Sequence, residues 1–276
     1  MSNSVLTNTS AAIALQNLTV TNNKLGDVQG RISTGLKVQG AKDNASIWAI
    51  AQKQRADVGA LTSVKSSLDR ATSVADVALS AGESISDLLN QLKEKVVAAK
   101  DASLGTQSRA LLDGDFKALL KAIGSAVENA TFDGGNILNG SLANGLQFLA
   151  NASATATVTL SGKDLTLGGT ILTLDLTDSL ATATGATSAL AKLDASITNV
   201  NAALGAIGAQ AKQIDAHNIF VSKLSDTLTS GIGNLVDADL AKESARLQAL
   251  QVQQQLGAQS LSIANQSPQI ILSLFQ

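Results

Sequence analysis

The chain has no cysteine, no tyrosine, one histidine (His217) and one proline (Pro268) among its 276 residues. Without cysteine there is neither a disulfide nor a thiolate, and a single histidine cannot build a His/Cys metal cage. Trp48 and five phenylalanines bring the aromatic content to only 2%. An enzyme of this length ordinarily packs its core and lines its pocket with more rings. A net charge of −2 leaves no basic field to hold nucleic acid or anionic lipid. No run of about 20 apolar residues occurs, so membrane insertion is not expected. Residues 1–23 carry no charged side chain, so the positively charged start of a secretory signal peptide is missing as well. What is abundant is alanine and leucine, 44 and 40 of them. With almost no proline to interrupt a helix, this is the composition of an assembly protein built from long helices, without cofactor, metal or catalysis.

At 28.0 kDa the chain is long enough for one large or two small domains. Charges divide it better than any linker. They cluster in about 24–133 and 192–246, while 1–23, 134–162 and 247–276 have none. The first charged block carries a 3.5-residue seam through Ile47, Ile50, Gln54, Asp57, Leu61, Val64, Leu68 and Ala71. It continues through Ala75, Ala78, Gly82, Ile85, Leu89, Leu92, Val96 and Ala99. That spacing predicts one helix over about 44–100, roughly 85 Å long, in a coiled coil or elongated bundle. The second block answers in the same phase: Leu190, Leu193, Ile197, Val200, Leu204, Ile207, Ala211, Ile214, Asn218, Val221, Ser225, Leu228, Ile232, Leu235. A shorter amphipathic helix is predicted over 106–130 (Leu112, Phe116, Leu119, Ile123, Ala126). Together the three make an antiparallel helical rod spanning 44–236.

Residues 131–178 change period. Thr131-Phe132-Asp133-Gly134-Gly135 and Asn139-Gly140 are turn chemistry. Val158 and Leu160, Leu165 and Leu167, then Leu172, Leu174 and Leu176 alternate with polar residues, which predicts a small β-hairpin tip. Residues 1–43 and 237–276 read as terminal helices. Leu15, Leu18, Leu25, Ile32 and Leu36 form one apolar stripe; Leu247, Leu250 and Leu261 form another, followed by Ile270, Ile271, Leu274 and Phe275. Such thin stripes do not hold a lone helix in water, and a charge-free outer face asks for further copies to cover it. These residues are therefore the predicted polymer interface, with Ile47, Leu61, Val64, Leu68, Ile85, Leu89, Leu92, Leu193, Ile197, Val200, Leu204, Ile207, Ile214 and Leu228 the predicted rod seam.

The residues that could carry chemistry read better as structure. His217 has no nucleophile or pocket beside it and is expected on a solvated helix face. Asp237, Asp239 and Glu243 are expected to be ordinary helix carboxylates, with Asp239–Lys242 and Glu243–Arg246 as i,i+3 pairs. Neither GxxxxGK[ST], GxGxxG nor HExxH occurs. Asn218 and Ser225 in the seam either fix register or are tolerated defects. Trp48 either packs within the rod or anchors a neighbouring copy. Fourteen Ser/Thr fall within 151–188, as glycan acceptors or as strand-forming residues on a wet sheet face.

Several motifs resemble the bacterial flagellins in the order that family has them. They are Ser33-Thr34-Gly35-Leu36-Lys37-Val38 with Ala41-Lys42-Asp43-Asn44-Ala45, and Thr131-Phe132-Asp133-Gly134-Gly135-Asn136-Ile137-Leu138-Asn139-Gly140. Val236-Asp237-Ala238-Asp239-Leu240-Ala241, Gln253-Gln254-Gln255-Leu256-Gly257-Ala258 and the closing Leu272-Ser273-Leu274-Phe275 follow. The resemblance covers roughly 1–140 and 190–276 and implies a structural subunit of an extracellular flagellar filament serving motility. It further implies a homopolymer or a co-polymer with related flagellins. Export through the flagellar export apparatus with an export chaperone, contacts with hook–filament junction and cap proteins, and O-glycosylation are likewise implied. With only about 50 residues between the long helices, the bulky outer domains common in the family are missing. The segment Leu89–Lys95 also lacks the arginines that an innate immune receptor reads in many members. A hook–filament junction protein and a non-flagellar coiled-coil adaptor are the alternatives. The first usually carries a larger β-rich centre, and the second has no reason to keep both ends uncharged.

Overall fold

The computed structural model describes the backbone of residues 7–273 and the side chains of 7–266. The chain is mainly α. Its elements are α1 (Thr9–Thr34), α2 (Ala45–Ala99), α3 (Thr106–Asn129), β1 (Leu146–Leu149), β2 (Thr157–Leu160), α4 (Ala183–Val236) and α5 (Leu240–Ser273). They are organised as two compact units, 57–226 and 1–56 with 227–276.

Element ends are set by side chains that replace missing helical bonds. Asn8 Oδ1 accepts the Ala11 N–H at 3.0 Å and starts α1. Gly35 ends it in the left-handed region (φ 73°), its N–H returning to the Arg31 carbonyl. Asn44 does for α2 what Asn8 does for α1, accepting the Ile47 N–H. Asp239 Oδ1 accepts from Ala241 and Lys242 N–H, and Glu243 sits in the first turn of α5, where the helix dipole favours it. Of the motif carboxylates, Asp239 is thus the capping group.

In residues 57–226, α2 and α4 run antiparallel. Asn218 donates to Asp69 (2.6 Å), Thr72 to Asp215 (3.2 Å) and Ser86 to Asn201 (3.4 Å), while Lys93 pairs with Asp194 (2.8 Å). Numbers on α4 fall as fast as those on α2 rise, and the last three pairs are whole heptads apart, which marks one stripe beside a coiled-coil-like seam. Inside that stripe Leu61, Val64, Leu68, Ile85, Leu89 and Leu92 are buried, as are Leu193, Val200, Ile207 and Ile214. Each such side chain contributes about 1.5–3 kcal/mol relative to exposure. Ile197 and Leu204 are half-buried, because Ser196 and Ala203, one position earlier, take the innermost places. Leu204 instead reaches across to Gly82, where a Cβ would collide with its Cδ2 methyl. Helix α3 adds Phe116, Leu120, Ile123 and Val127 to the same core.

After α3 the chain turns through Asp133 and Gly134, both at positive φ. Buried Asn136 donates to the Val127 and Glu128 carbonyls, closing the open end of α3, and accepts from the Leu138 N–H. Strands β1 and β2 pair antiparallel, Leu146 opposite Leu160 and Leu149 opposite Thr157. The hairpin is pinned to both long helices: the Leu149 N–H donates to Ser67 Oγ (3.1 Å), and the Ser161 N–H to Gln210 Oε1 (2.9 Å). His217 Nε2 lies 2.8 Å from the Ala150 carbonyl. Since a carbonyl only accepts, Nε2 carries the proton and the ring is a clamp on the hairpin turn, half-buried rather than on a solvated face.

The alternation at Leu165–Leu167 and Leu172–Leu176 does not become strand. Leu165, Leu172 and Leu174 are buried, yet their segment spends its backbone bonds elsewhere. Lys163 and Leu165 N–H donate to the Ile137 and Leu138 carbonyls (2.6 and 2.7 Å), and the Thr173 N–H donates to Ser196 Oγ (3.0 Å). Alternation reported which side chains face inward, and among the described residues no neighbouring strand completes a ladder.

This irregular segment, 161–180, is a strap, and it ends at Asp113 of α3. Its Oδ1 accepts from Ser179 Oγ (2.8 Å) and the Leu180 N–H (2.6 Å), and its Oδ2 from Lys117 (2.8 Å). Burial pushes the carboxyl up, but the bonds from Lys117, Leu180 and Ser179 outweigh it and hold it below the ordinary carboxylate range. A depressed folded-state pKa gives stability that is complete above the unfolded value and lost as pH falls through the folded one. Asp113→Ala should cost about 1–3 kcal/mol in urea unfolding at neutral pH. The gap from wild type should shrink once the pH drops below about 3.9. The two glycine contexts of the long helices supply a second test. Gly208, where a Cβ meets nothing within 4 Å, should gain about 0.5–1 kcal/mol on change to alanine. Gly82→Ala should instead lower the urea midpoint, losing about 1–2 kcal/mol to the clash with Leu204.

Candidate functional site: the paired terminal helices

In the unit formed by 1–56 and 227–276, α1 packs along α5. Asn8 Nδ2 donates to the Ala264 carbonyl at 2.7 Å, Gln254 Nε2 donates to Asn22 Oδ1 at 2.8 Å, and Arg31 faces Glu243 at 3.5 Å. Glutamine and asparagine thus do most of the polar pairing, and Glu243 pairs across to Arg31 rather than along its own helix to Arg246. Amides can bond across a dry interface without leaving a naked charge. Gly257 lets α1 approach closely, since a Cβ there would sit 3.3 Å from Leu18 Cδ1. Val28 (2% exposed) and Leu250 are the buried apolar centre of the pair.

The base of the unit is tied by backbone. Leu36 bridges Asp237, the Lys37 N–H donates to the Val236 carbonyl (2.7 Å), and the Ala238 N–H to the Gly35 carbonyl (2.8 Å). Lys37 Nζ adds a bond to the Asn234 carbonyl at 2.9 Å. Both motif stretches, 33–38 and 236–241, meet here, so their resemblance has a common structural purpose.

Leu18, Leu25, Ile32, Leu36, Leu247 and Leu261 are half-buried, Leu250 is buried and Leu15 is exposed. Ile47 and Leu228, from the ends of the seam, are half-buried in this same unit. Ile270 and Ile271 belong to the part of α5 whose side chains are not described, and Leu274 and Phe275 lie outside the described residues. The stripes read from sequence largely face one another. What remains uncovered is a second set: Ile13 (59% exposed), Val20, Leu240, Val252, Leu256 and Ile263 (63% exposed). Ile13, Val20 and Leu256 line a groove with Leu18, Gly257 and Ala264, about 600 Å³ in volume. A one-stripe reading treats such residues as strays; the signal for them was apolar residues on a second face of helices that carry almost no charge.

No described helix is long and apolar enough to cross a membrane. Among the described residues no three His, Cys, Asp or Glu side chains gather as metal ligands would.

Residues 5–143 match the bacterial flagellin N-terminal helical region, and residues 190–275 the bacterial flagellin C-terminal helical region. Flagellin FljJ of Caulobacter vibrioides is 52% identical, over 100% of this chain and 99% of its own length. A flagellin of Brucella melitensis biotype 1 is 40% identical, over 99% of both chains. Among solved structures, one described as a flagellar hook-associated protein of Vibrio parahaemolyticus superposes with a TM-score of 0.53 at 16% identity. It covers 71% of this chain and 100% of its own, a likeness of fold alone. Helical regions matched at both ends, relatives matched end to end and only a hairpin and strap between α3 and α4 make the conclusion plain: the chain belongs to the bacterial flagellin family, as a short member without a large middle domain.

Proposed function

We propose that the chain is a structural, non-enzymatic subunit of an extracellular flagellar filament, polymerising with copies of itself or with related flagellins. The observation that carries this reading is the uncovered apolar face of the α1–α5 pair, on helices without charge over 7–23 and 247–266. A surface patch of that kind on a monomer is an association site. Neighbouring copies seat on Ile13, Val20, Val252, Leu256 and Ile263 and on exposed Leu15, which lies on another side of α1; from the sequence, Ile270, Ile271, Leu274 and Phe275 are further apolar contacts. Within residues 57–226 the α2–α4 seam supplies stiffness.

The finer reading follows the family resemblance. Delivery is through the flagellar export apparatus with an export chaperone. Junction and cap proteins bound the polymer, and the hydroxyl-rich stretch 151–188 takes O-linked glycans.

Electron microscopy of the purified chain before and after ammonium sulfate, which strengthens apolar burial, tests the assembly reading. The full chain should give long uniform filaments, and a chain lacking 247–276 should give none. The pair Leu256→Ser and Ile263→Ser, already solvent-exposed, should leave helical content unchanged and raise the critical concentration for assembly at least about tenfold. A soluble dimer unmoved by salt would replace the filament with a coiled-coil adaptor.

A further inference from the structure

Two Asn-Gly pairs lie between α3 and β1, Asn139-Gly140 and Asn144-Gly145. Both glycines sit at positive φ, 73° and 71°. Asparagine is thermolabile because the next residue's amide nitrogen can attack its side-chain carbonyl carbon, and a following glycine offers no Cβ to obstruct it.

The surroundings separate the two pairs. The Gly145 N–H donates to the Leu142 carbonyl at 2.8 Å, and a Cβ on Gly145 would strike the Leu160 carbonyl, so this nitrogen is engaged and packed against β2. The Gly140 N–H makes no hydrogen bond among the described residues. Asn139 Oδ1, in contrast, accepts twice from one residue: from the Ser141 N–H at 3.1 Å and from Ser141 Oγ–H at 2.6 Å. The other acceptor within reach of that hydroxyl, the Asn136 carbonyl, is farther away at 3.5 Å. Two donors therefore converge on the oxygen that turns negative when nitrogen adds to Cγ, which is the arrangement of an oxyanion hole.

We propose that Asn139 is a self-modification site, at which Gly140 N attacks Asn139 Cγ with Ser141 holding the oxyanion. The N–Cγ bond forms as the Gly140 amide proton passes to water; water returns a proton to Nδ2, the oxyanion collapses to a carbonyl, the Cγ–Nδ2 bond breaks and ammonia leaves. Water opens the resulting succinimide at either carbonyl, giving aspartate or isoaspartate at 139 with no change of oxidation state. The product carries a new carboxylate at the residue before Gly140, where a Cβ would lie 3.0 Å from Asp164 Oδ2. Isoaspartate also lengthens the main chain directly after Ile137 and Leu138, whose carbonyls hold the strap at Lys163 and Leu165.

The test ages the full-length chain at physiological pH and temperature, then maps peptides by mass and by isoaspartyl-specific methyl labelling. In the folded chain Asn139 should convert about tenfold faster than Asn144, a discounted share of what an oxyanion donor supplies in a dry site. In denaturant the two should converge. Ser141→Ala should slow Asn139 about threefold or more while leaving the Asn144 rate unchanged, which also reports that the fold is intact. Asn139→Gln should abolish the label at 139. Equal rates in the folded chain, a faster Asn144, or a Ser141→Ala variant that ages like wild type would each overturn the proposal.

Discussion

Leu204 against Gly82 and the polar stripe from Asp69–Asn218 to Lys93–Asp194 fix α2 and α4 of residues 57–226 in one antiparallel register. A seam of alanine, leucine and isoleucine alone would slide, because one small apolar residue replaces another at little cost. A one-turn slip here would move Leu204 off its glycine and separate Thr72 from Asp215 and Ser86 from Asn201 together. Register in turn places Ser67, Gln210 and His217 where the hairpin needs them, since its Leu149 and Ser161 N–H groups and its Ala150 carbonyl are met by those three side chains. A two-stranded sheet is marginal by itself in water. This one persists because two helices at fixed register supply its missing partners.

The terminal helices face a different constraint. A pair of helices can hide one stripe each, and α1 and α5 do so with Val28, Leu250 and a half-buried line between them. Their other faces are apolar too, so the pair by itself leaves surface that water opposes. The same reasoning explains the lack of charge. A lysine or glutamate on that face would make the isolated pair soluble and would cost several kcal/mol once a neighbour covered it. Arg31 and Glu243, the charges that do sit between the helices, lie toward the base, where each has the other.

Helical periodicity was legible in the sequence almost to the residue: the predicted 44–100 and 106–130 became α2 at Ala45–Ala99 and α3 at Thr106–Asn129. That succeeded because eight heptads without proline leave few alternatives, and because Asn44 at the start is a strong cap. The strand reading between 161 and 178 did not succeed, since period-two burial says which leucines point inward and nothing about which backbone groups they pair with. Phe148 and β1 were missed for the complementary reason: a four-residue strand holds too few alternations to register. In the terminal unit, sequence found the stripes but not which apolar residues stay uncovered. Leu18, Leu25 and Ile32 satisfy one another's neighbours across the pair, and the uncovered face belongs to Ile13, Val252 and Ile263, which share no single stripe with them.

The helix glycines connect these points energetically. A Cβ on Gly82 would collide with Leu204 Cδ2, and one on Gly257 would stand 3.3 Å from Leu18 Cδ1, so alanine at either meets a neighbour. Gly26, Gly59, Gly114, Gly205, Gly208 and Gly231 meet nothing within 4 Å where a Cβ would stand. Packing inside the chain does not require them, and each makes its helix about 1 kcal/mol less favourable than alanine would. Their combined effect is about 6 kcal/mol, as large as the whole margin by which many domains are folded. Anything that covers the folded subunit adds stability by mass action, and it adds most where the isolated chain is weakest. Replacing such glycines one at a time separates the two contributions: a change that stabilises the isolated chain and leaves assembly untouched marks a glycine facing solvent. One that stabilises the chain and blocks assembly marks a place where another backbone must come close.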